Sequence, residues 1–340
     1  MKLKLSRALA LLLVFLLAGS ILAACQTGQT TPVQTSGGGS WPVTVKNAAG
    51  EDVVIKAEPQ AIVATNVWAG EMLLDLVETD RIKALSAWGD DPALSHTADK
   101  AAAVATRVNT QDPEGIVAVR PDLVILDTFS DADGSLTRTL TDANIVVLQL
   151  ASPTDFEQIK AAIATLAAAV GADDKGAELI AGVDAVLDSV EAKLDGLSDD
   201  QKMKVIYYED YYDQSGSSAG MLAAYGAGSP FDAIAIAAGT INVCNVQNYS
   251  AVSKEKVVGE WKPDLLIVPA ITYGPDFKAV DDGGATVIAA IMADDIMKTL
   301  PAVQNEKVFA LTEKYRGSTS HYMVKAVEEL AKLAYPDLIP

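Results

Sequence analysis

Cysteine, histidine and basic side chains are scarce in this sequence of 340 residues, and each shortage excludes a class of protein. Two cysteines cannot form a disulfide framework, and two histidines argue against a zinc or manganese site built mainly from imidazoles. The net charge of −19 argues against a nucleic-acid partner, because a polyanion would be repelled and no basic stripe offsets the acidity. Such acidity is typical of a secreted protein that its charge keeps soluble.

Several motifs of known catalytic chemistry are also absent from the sequence. The patterns H-E-x-x-H, P-loop and C-x-x-C do not occur. GAGSP at residues 226–230 precedes a helix and offers an anion site, but it follows no clear strand and lacks the remaining glycine of a dinucleotide fingerprint. YYEDYYD at residues 207–213 offers a cation site, although carboxylates this close usually face water. We therefore predict a protein that is not an enzyme and has no resident cofactor.

The first 25 residues predict a secretory signal peptide. A positively charged start is followed by an apolar stretch too short to cross a bilayer and by small residues. The ending LAAC is similar to a bacterial lipobox, in which Cys25 is lipidated and becomes the first residue of the mature protein. An ordinary signal peptide or an uncleaved anchor is the alternative. Lipidation with several acyl chains would hold the protein firmly at the membrane.

Residues 26–40 predict a flexible tether, because they are polar and rich in Gly, Ser and Thr. No later apolar run is long enough for a transmembrane helix. We therefore expect the folded body, from about Trp41 onward, to lie outside the bacterial cell membrane and to be attached to it through the lipid alone.

The sequence of the body predicts an α/β fold of two lobes that are joined by one long helix. Each lobe is expected to have a mainly parallel sheet flanked by helices. Strands alternate with helices over residues 41–152, the N-terminal lobe. Residues 153–200 form a connecting helical segment, with Ser152 as an N-cap, Gly171 as a C-terminal cap and a length of roughly 30 Å in its second helix. Alternation resumes over residues 201–340, the C-terminal lobe.

Two segments nearly repeat each other, one in each lobe. EGIVAVRPDLVIL begins at Glu114, and EKVVGEWKPDLLIV begins at Glu255. Each predicts a helix that leads through Pro-Asp into a buried parallel strand. The first helix has Asp112 as its N-cap and Pro113 at its first position. Two lobes of similar construction explain the repetition.

Aromatic residues make up 6% of the chain, yet many follow predicted strands. Ligands of open α/β sheets bind beyond the carboxyl ends of the strands, where aromatic side chains suit a bulky, partly apolar ligand. Aromatic side chains that merely cover the sheets are the alternative, and Arg316 is a candidate partner for a ligand carboxylate or phosphate. The candidate ligand-binding residues are Trp68, Trp88, Phe129, Tyr208, Tyr211, Tyr212, Tyr249, Tyr273, Tyr315 and Arg316.

Several features, taken in their order along the chain, resemble a known family. They are the lipobox, the polar tether, EPQAIVATN, the two nearly repeated segments (the twin segments), the long connecting helix and the closing LPAVQNEKVFAL. It is similar to the substrate-binding lipoproteins of ABC importers, in the subgroup that serves ferric siderophores, haem and cobalamin. The similarity covers about Trp41 to Pro336 and implies two lobes bridged by one long helix, with little hinge closure. A sister group binds bare zinc or manganese through several histidines. Because this chain has two, a metal should arrive already chelated.

The resemblance also implies one surface glutamate on each lobe that docks onto arginines of the membrane permease. Glu114 fits the family's step before Pro-Asp in the first lobe. The second copy is one residue longer, so Lys256 falls at the equivalent step while Glu255 stands on the same helical turn. Helix-start acids favoured by the helix dipole are the alternative for both glutamates.

We therefore predict an extracytoplasmic lipoprotein that captures a metal chelate, first a ferric siderophore and then cobalamin or haem. Its expected partners are an ABC permease with its ATPase, and we expect the protein to be a monomer. A binding lipoprotein for another ligand and a sensory surface domain on the same fold are the alternatives. An enzyme on a similar two-lobed scaffold would need clustered cysteine ligands, which the sequence lacks.

Overall fold

The computed structural model of the protein describes residues 41–212, 218–274 and 278–339, with the backbone alone at residues 211, 212 and 218–221. The predicted signal peptide, the lipidation of Cys25 and the predicted tether lie outside the described residues. Among the described residues, no helix is both long enough and apolar enough to span a membrane.

The N-terminal lobe is built on a parallel sheet whose strand order is β5-β4-β3-β6-β7. Its elements are β1 Val43–Lys46, β2 Asp52–Ile55, β3 Ile62–Ala64, α1 Val67–Leu76, β4 Ile82–Ser86, α2 Ala98–Ala101, β5 Thr106–Val108, α3 Pro113–Ala118, β6 Leu123–Asp127, α4 Ser135–Asp142 and β7 Val146–Leu150. Strand β6 is buried along its whole length, as the unbroken apolar run predicts. Ile125 packs into one hydrophobic cluster and Val124 into another, because alternate side chains face opposite sides of the sheet.

Two helices, α5 Phe156–Val170 and α6 Asp173–Lys193, connect the lobes. The prediction that Ser152 caps the first of them is wrong. Helix α5 begins later, because the Asp155 carboxylate accepts a hydrogen bond from the Gln158 backbone N–H at 2.8 Å. Gly171 ends the helix with φ of +71°, which confirms the predicted C-terminal cap.

The C-terminal lobe has a mixed sheet in the order β11-β9-β8-β12-β15, with β10 beside β8. Its elements are β8 Lys204–Tyr212, β9 Ser218–Tyr225, α7 Pro230–Ala237, β10 Ile241–Asn242, β11 Tyr249–Ala251, α8 Lys254–Lys256, β12 Leu265–Pro269, β13 Ile271–Tyr273, β14 Ala279–Asp281, α9 Ala285–Ala293, α10 Pro301–Gln304, β15 Val308–Leu311, α11 Glu313–Arg316 and α12 Val324–Ala334. Strands β8, β10, β12 and β15 pair in parallel, whereas β9 and β11 add an antiparallel edge. The sequence did not predict this edge, because β9 is polar and glycine-containing at its start.

The repeated Pro-Asp performs the same task in both lobes. Asp122 accepts hydrogen bonds from the backbone N–H groups of Gln60 and Ala61 at 2.7 and 3.0 Å, just before β3. Asp264 accepts one from the backbone N–H of Lys204 at 2.8 Å, at the first residue of β8. Each aspartate therefore fastens the start of its own strand to the start of the neighbouring strand.

The extra residue of the second repeat is absorbed in a π-helical turn, Val257–Trp261, that follows α8. The backbone N–H of Lys262 donates to the carbonyl of Val257 at 2.9 Å, five positions back. A π-turn accommodates one more residue than an α-turn over the same rise. The two repeats then end alike, because Arg120 and Lys262 both have positive φ, at 52° and 45°.

One hydrophobic cluster runs through both lobes and the connecting helices. Its buried members include Ile62, Leu123, Ile163, Val183, Val190, Val205, Leu265 and Leu330. Helix α12, near the end of the chain, packs against α6 and α7. The lobes therefore share a continuous core behind the cleft between them.

Candidate functional site

A cavity of ≈ 490 Å³ lies where the carboxyl ends of the strands of both lobes meet. Trp68 and Trp88 follow β3 and β4, and residues 152–154 follow β7. Tyr273 and Glu313 belong to the segments after β12 and β15. The cavity therefore has the position that the rule for open α/β sheets predicts.

Asp127 organises the N-terminal wall of the cavity. It is buried at the end of β6 and accepts a hydrogen bond from Trp68 Nε1 at 3.1 Å. Its carboxylate also accepts from the backbone N–H of Phe129 at 2.6 Å and from the hydroxyl of Ser152. Trp68 is consequently held with its indole N–H turned into the protein. Sequence reasoning missed Asp127, although a carboxylate that ends a buried strand is a usable signal.

Trp88 and Phe129 have different relations to the cavity. Trp88 is 50% exposed and lines the cavity, so its ring is available to a ligand. Phe129 is 91% exposed and does not belong to the described lining. The structure therefore brings Trp68, Trp88 and Tyr273 together, and it leaves Phe129 outside this group.

Glu313 and Arg316 form an ion pair in the C-terminal wall. The guanidinium of Arg316 is buried and lies 4.5 Å from the centre of the Tyr207 ring and 5.3 Å from that of Tyr225. Glu313 lines the cavity, whereas Arg316 is not among the described lining residues. The structure thus places Arg316 behind Glu313 rather than at the cavity surface.

Three tyrosines of this wall lie in a negative environment. Burial and then the charges of Glu313 and Glu209 raise the pKa of Tyr273 above its ordinary value. Burial and a hydrogen bond to Glu209 raise the pKa of Tyr249 strongly. Burial raises the pKa of Tyr225 as well, with Arg316 opposing the shift. All three phenols therefore stay protonated at neutral pH.

The prediction that Tyr208 lies in a loop at the cleft is wrong. Strand β8 continues to Tyr212, and Tyr208 is fully buried in the cluster on the side of the sheet opposite Tyr207. Its side chain cannot contact a ligand in the cavity. The side chains of Tyr211 and Tyr212 lie outside the described residues. The error arose because the β8–β9 hairpin extends the strand beyond the parallel part of the sheet.

Tyr249 and Tyr315 stand apart from the described cavity lining. Tyr249 is half-exposed, and its ring centre lies 4.8 Å from that of Tyr225. Tyr315 packs against the ring of His96 at 5.3 Å between centres. Both aromatic residues therefore pack against neighbouring aromatic rings outside the described lining.

A buried carboxylate, Glu71 of α1, joins the two lobes beside the cavity. From its own lobe it accepts hydrogen bonds from the Ser95 hydroxyl at 3.0 Å and the His96 backbone N–H at 2.6 Å. From the C-terminal lobe it accepts hydrogen bonds from the hydroxyls of Ser318 at 2.7 Å and Ser320. Glu71 is 1% exposed, so these donors replace the water that the charge has lost.

Asp75, one turn further along α1, makes a second connection. It accepts hydrogen bonds from Tyr322 Oη at 2.7 Å and from Lys100, and it lies 3.0 Å from His321 Nε2. Burial alone would raise the pKa of Asp75, but the hydrogen bonds from His321, Lys100 and Tyr322 outweigh burial and hold the pKa well below its ordinary value. The sequence did not single out Glu71 or Asp75.

Glu114 and Glu255 occupy matching positions on the surface. Each is exposed, and each is the second residue of its helix, α3 and α8. In both helices the N-cap side chain, Asp112 or Ser253, accepts a hydrogen bond from the backbone N–H three residues on. Because the extra residue is absorbed after α8, Glu255 rather than Lys256 is the structural counterpart of Glu114.

Comparison with known proteins connects this architecture to a family. A family model described as periplasmic binding protein matches residues 62–315. The ABC transporter substrate-binding lipoprotein YvrC of Bacillus subtilis is 24% identical over 305 residues, which cover 87% of each chain. A cobalamin-binding protein of Halobacterium salinarum is 23% identical over 298 residues, which cover 87% of this chain and 74% of that protein.

The fold is also shared with solved structures. The molybdate periplasmic binding protein MolA of Haemophilus influenzae superposes with a TM-score of 0.69 at 20% identity. The superposition covers 87% of this chain and 92% of MolA. The superposition shows that the two proteins share a fold.

Proposed function

The chain belongs to the periplasmic binding protein family, and from that premise we propose that it is the extracytoplasmic substrate-binding lipoprotein of an ABC importer. The observation that carries the proposal is the cavity of ≈ 490 Å³ between the lobes, walled by Trp68, Trp88 and Tyr273. A cleft of this size with aromatic walls and few polar groups is typical of small-molecule sites. The proposed mechanism is binding and docking, without bond-making.

The proposed ligand is a metal chelate, a ferric siderophore first and cobalamin or haem second. Exposed Trp88 offers a flat apolar face to a large ligand, and Tyr273 offers a ring with a protonated hydroxyl. The similarity to a cobalamin-binding protein supports a ligand of this kind. The two histidines of the chain favour a metal that arrives already chelated.

The proposed organisation follows the predicted segments. Cys25 carries the lipid, residues 26–40 form the tether, and residues 41–152 and 201–340 form the lobes on either side of the connecting segment 153–200. Glu114 and Glu255 are the proposed contacts with arginines of the permease, since both are exposed and structurally equivalent. The body acts as a monomer, held at the bacterial cell membrane by the lipid and facing outward.

Tryptophan fluorescence tests this function. We expect a ferric siderophore, cobalamin or haem to quench the emission and to raise the melting temperature, and we expect Trp88→Ala to weaken binding by about tenfold. Trp261→Phe is the control, because Trp261 is buried in the C-terminal lobe outside the described cavity lining and its loss should leave affinity unchanged. If no chelate of the three classes changes the emission or the melting temperature, the proposal is wrong.

A further inference from the structure

The loops around the cleft contain acids and very few cations. Lysine and arginine are absent from residues 62–80, 84–99, 121–137, 145–159, 205–253 and 263–277, which contain the loops after most of the strands. The same ranges hold many aspartates and glutamates, among them the exposed Asp90 and Asp133 and the buried Glu209. An anionic ligand would therefore approach a surface of its own charge.

Cations near the C-terminal loops include Lys278, Lys314, Arg316 and Lys325. None of the four is among the described residues that line the cavity. Lys314 lies over the ring of Tyr315 at 5.9 Å, and Arg316 is paired with Glu313. The cavity surface that the structure describes thus presents no guanidinium or ammonium group to a ligand.

Glu313 is the charged side chain in the described lining of the cavity. It is 6% exposed, and its Oε1 pairs with Arg316. Its Oε2 is buried and has no hydrogen-bond partner among the described residues. No donor among the described residues offsets the charge on Oε2, so the ion pair with Arg316 compensates the carboxylate on one oxygen only.

The surrounding wall carries more negative than positive charge. Glu209 is buried in the C-terminal lobe. Beside burial, its charge raises the pKa of Tyr225, Tyr249 and Tyr273, whereas the charge of Arg316 lowers it. After burial, the charges of Glu313 and Glu209 are the next causes that raise the pKa of Tyr273. A field that opposes a phenolate at Tyr273 opposes any other anion in the cavity.

We propose that the cleft selects metal complexes that are neutral or positively charged, and that Glu313 sets this preference through the negative charge of its carboxylate at the cavity wall. The inference rests on the proposed function and narrows its ligand class. Hydroxamate complexes with a free ammonium group and corrinoids with amide N–H donors fit the site. Tricatecholate complexes and haem, with its propionates, carry the wrong charge.

Calorimetric titration of the full chain with four probes tests this inference. The probes are ferrioxamine B, a cationic ferric trihydroxamate; cyanocobalamin, a neutral corrinoid; ferric enterobactin, an anionic tricatecholate; and haemin. We expect the tighter of the first two to bind at least about tenfold more tightly than either anion, a difference of about 1.4 kcal/mol. Glu313→Gln should reduce the ratio of the affinity for that probe to the affinity for either anion by about tenfold, because it removes the charge and keeps the shape of the side chain.

The matched control is Glu178→Gln, an exposed glutamate of α6 remote from the cavity lining, which should leave the ratio unchanged. Gly317→Ala is a second variant, since its added methyl would meet Glu313 Oε1 at 2.7 Å and displace the carboxylate without removing the charge. It should also lower the ratio. The ranking of probes on the unmodified protein decides the question even if both variants unfold.

Three results would overturn the inference. Tighter binding of ferric enterobactin or haemin by the unmodified protein would refute the charge preference and leave the proposed function standing. An unchanged ratio in folded Glu313→Gln would refute the role of Glu313. Absence of binding by all four probes would remove both the inference and the chelate function on which it rests.

Discussion

At the scale of single residues, Glu71 shows how a buried charge can stabilise a two-lobed protein. Its carboxylate is almost fully buried and receives donors from both lobes. A buried charge is tolerated because its hydrogen bonds replace those to water. Removing the carboxylate leaves the buried donors without an acceptor. Glu71 therefore acts as a specific connection between α1 and the segment that follows α11.

Glu71→Gln should lower the free energy of unfolding by about 2–3 kcal/mol, because the amide supplies one acceptor where the carboxylate supplies two and leaves buried donors unpaired. Urea unfolding followed by circular dichroism measures the loss. Glu178→Gln, on the exposed face of α6, is the control and should change stability by less than about 0.5 kcal/mol. Equal stability of the two variants would contradict the connecting role of Glu71.

The lowered pKa of Asp75 predicts that the free energy of unfolding decreases at acid pH. Its folded pKa lies below the unfolded value, so its contribution is present above about pH 4 and is lost as the pH falls toward the folded pKa. We expect Asp75→Asn to be less stable than the unmodified protein by about 2 kcal/mol at neutral pH, and the gap to narrow below about pH 4. Urea unfolding at several pH values measures this. A gap that is constant between neutral and acid pH would exclude the effect.

At the scale of secondary-structure elements, the twin segments separate two tasks. The Pro-Asp end fastens neighbouring strands, as Asp122 and Asp264 show by their bonds to backbone N–H groups. The helical start places an exposed glutamate at the second position of α3 and α8. The π-turn Val257–Trp261 lies between these two ends, so the extra residue changes neither task.

The equivalence of Glu114 and Glu255 predicts the effect of removing them. Glu114→Ala and Glu255→Ala should each leave ligand affinity unchanged and reduce uptake by about tenfold, because each removes a charge that is proposed to contact the permease. Uptake of the bound chelate by cells that carry each variant as the sole copy measures this.

The control for this experiment is Lys256→Ala, whose ammonium group lies 4.7 Å from the centre of the Trp261 ring. It should reduce uptake far less than Glu255→Ala. A greater loss of uptake for Lys256→Ala would assign the second permease contact to the lysine. Lost ligand affinity in Glu114→Ala would assign Glu114 to the ligand site.

At the scale of the whole molecule, the continuous core limits the movement of the lobes. The main hydrophobic cluster includes residues of both sheets and of α5, α6 and α12, and the bonds of Glu71 and Asp75 cross between the lobes. Rotation about a hinge would have to break packed apolar contacts and buried hydrogen bonds together. A rigid scaffold with a preformed cleft follows.

We therefore expect little change of shape on ligand binding. Small-angle X-ray scattering should give radii of gyration that differ by less than about 1 Å between the free protein and the protein saturated with its proposed chelate ligand. Glu71→Gln should increase this difference in radius of gyration if the hydrogen bonds of Glu71 restrain the lobes. A larger contraction of the unmodified protein would show hinge closure and contradict the restraint.

The sequence by itself determined the alternation of strands and helices, the two lobes and the helical connection. It also determined the N-cap Asp112, the helix-starting Pro113 and the C-cap Gly171. These features depend on local periodicity and on backbone preferences of neighbouring residues, which a sequence displays directly. The position of the cavity followed from the same alternation, because the carboxyl ends of parallel strands meet at one edge.

Only the tertiary structure decided which side chains face the cavity. Tyr208 was placed in the core because it points to the opposite side of the sheet from Tyr207, and Arg316 was placed behind Glu313. Glu71 found its partner Ser318 at a distance of 247 positions along the chain. Such pairings depend on the packing of segments that are distant in the sequence. Local sequence patterns do not predict them, because the residues around one partner carry no information about the other partner.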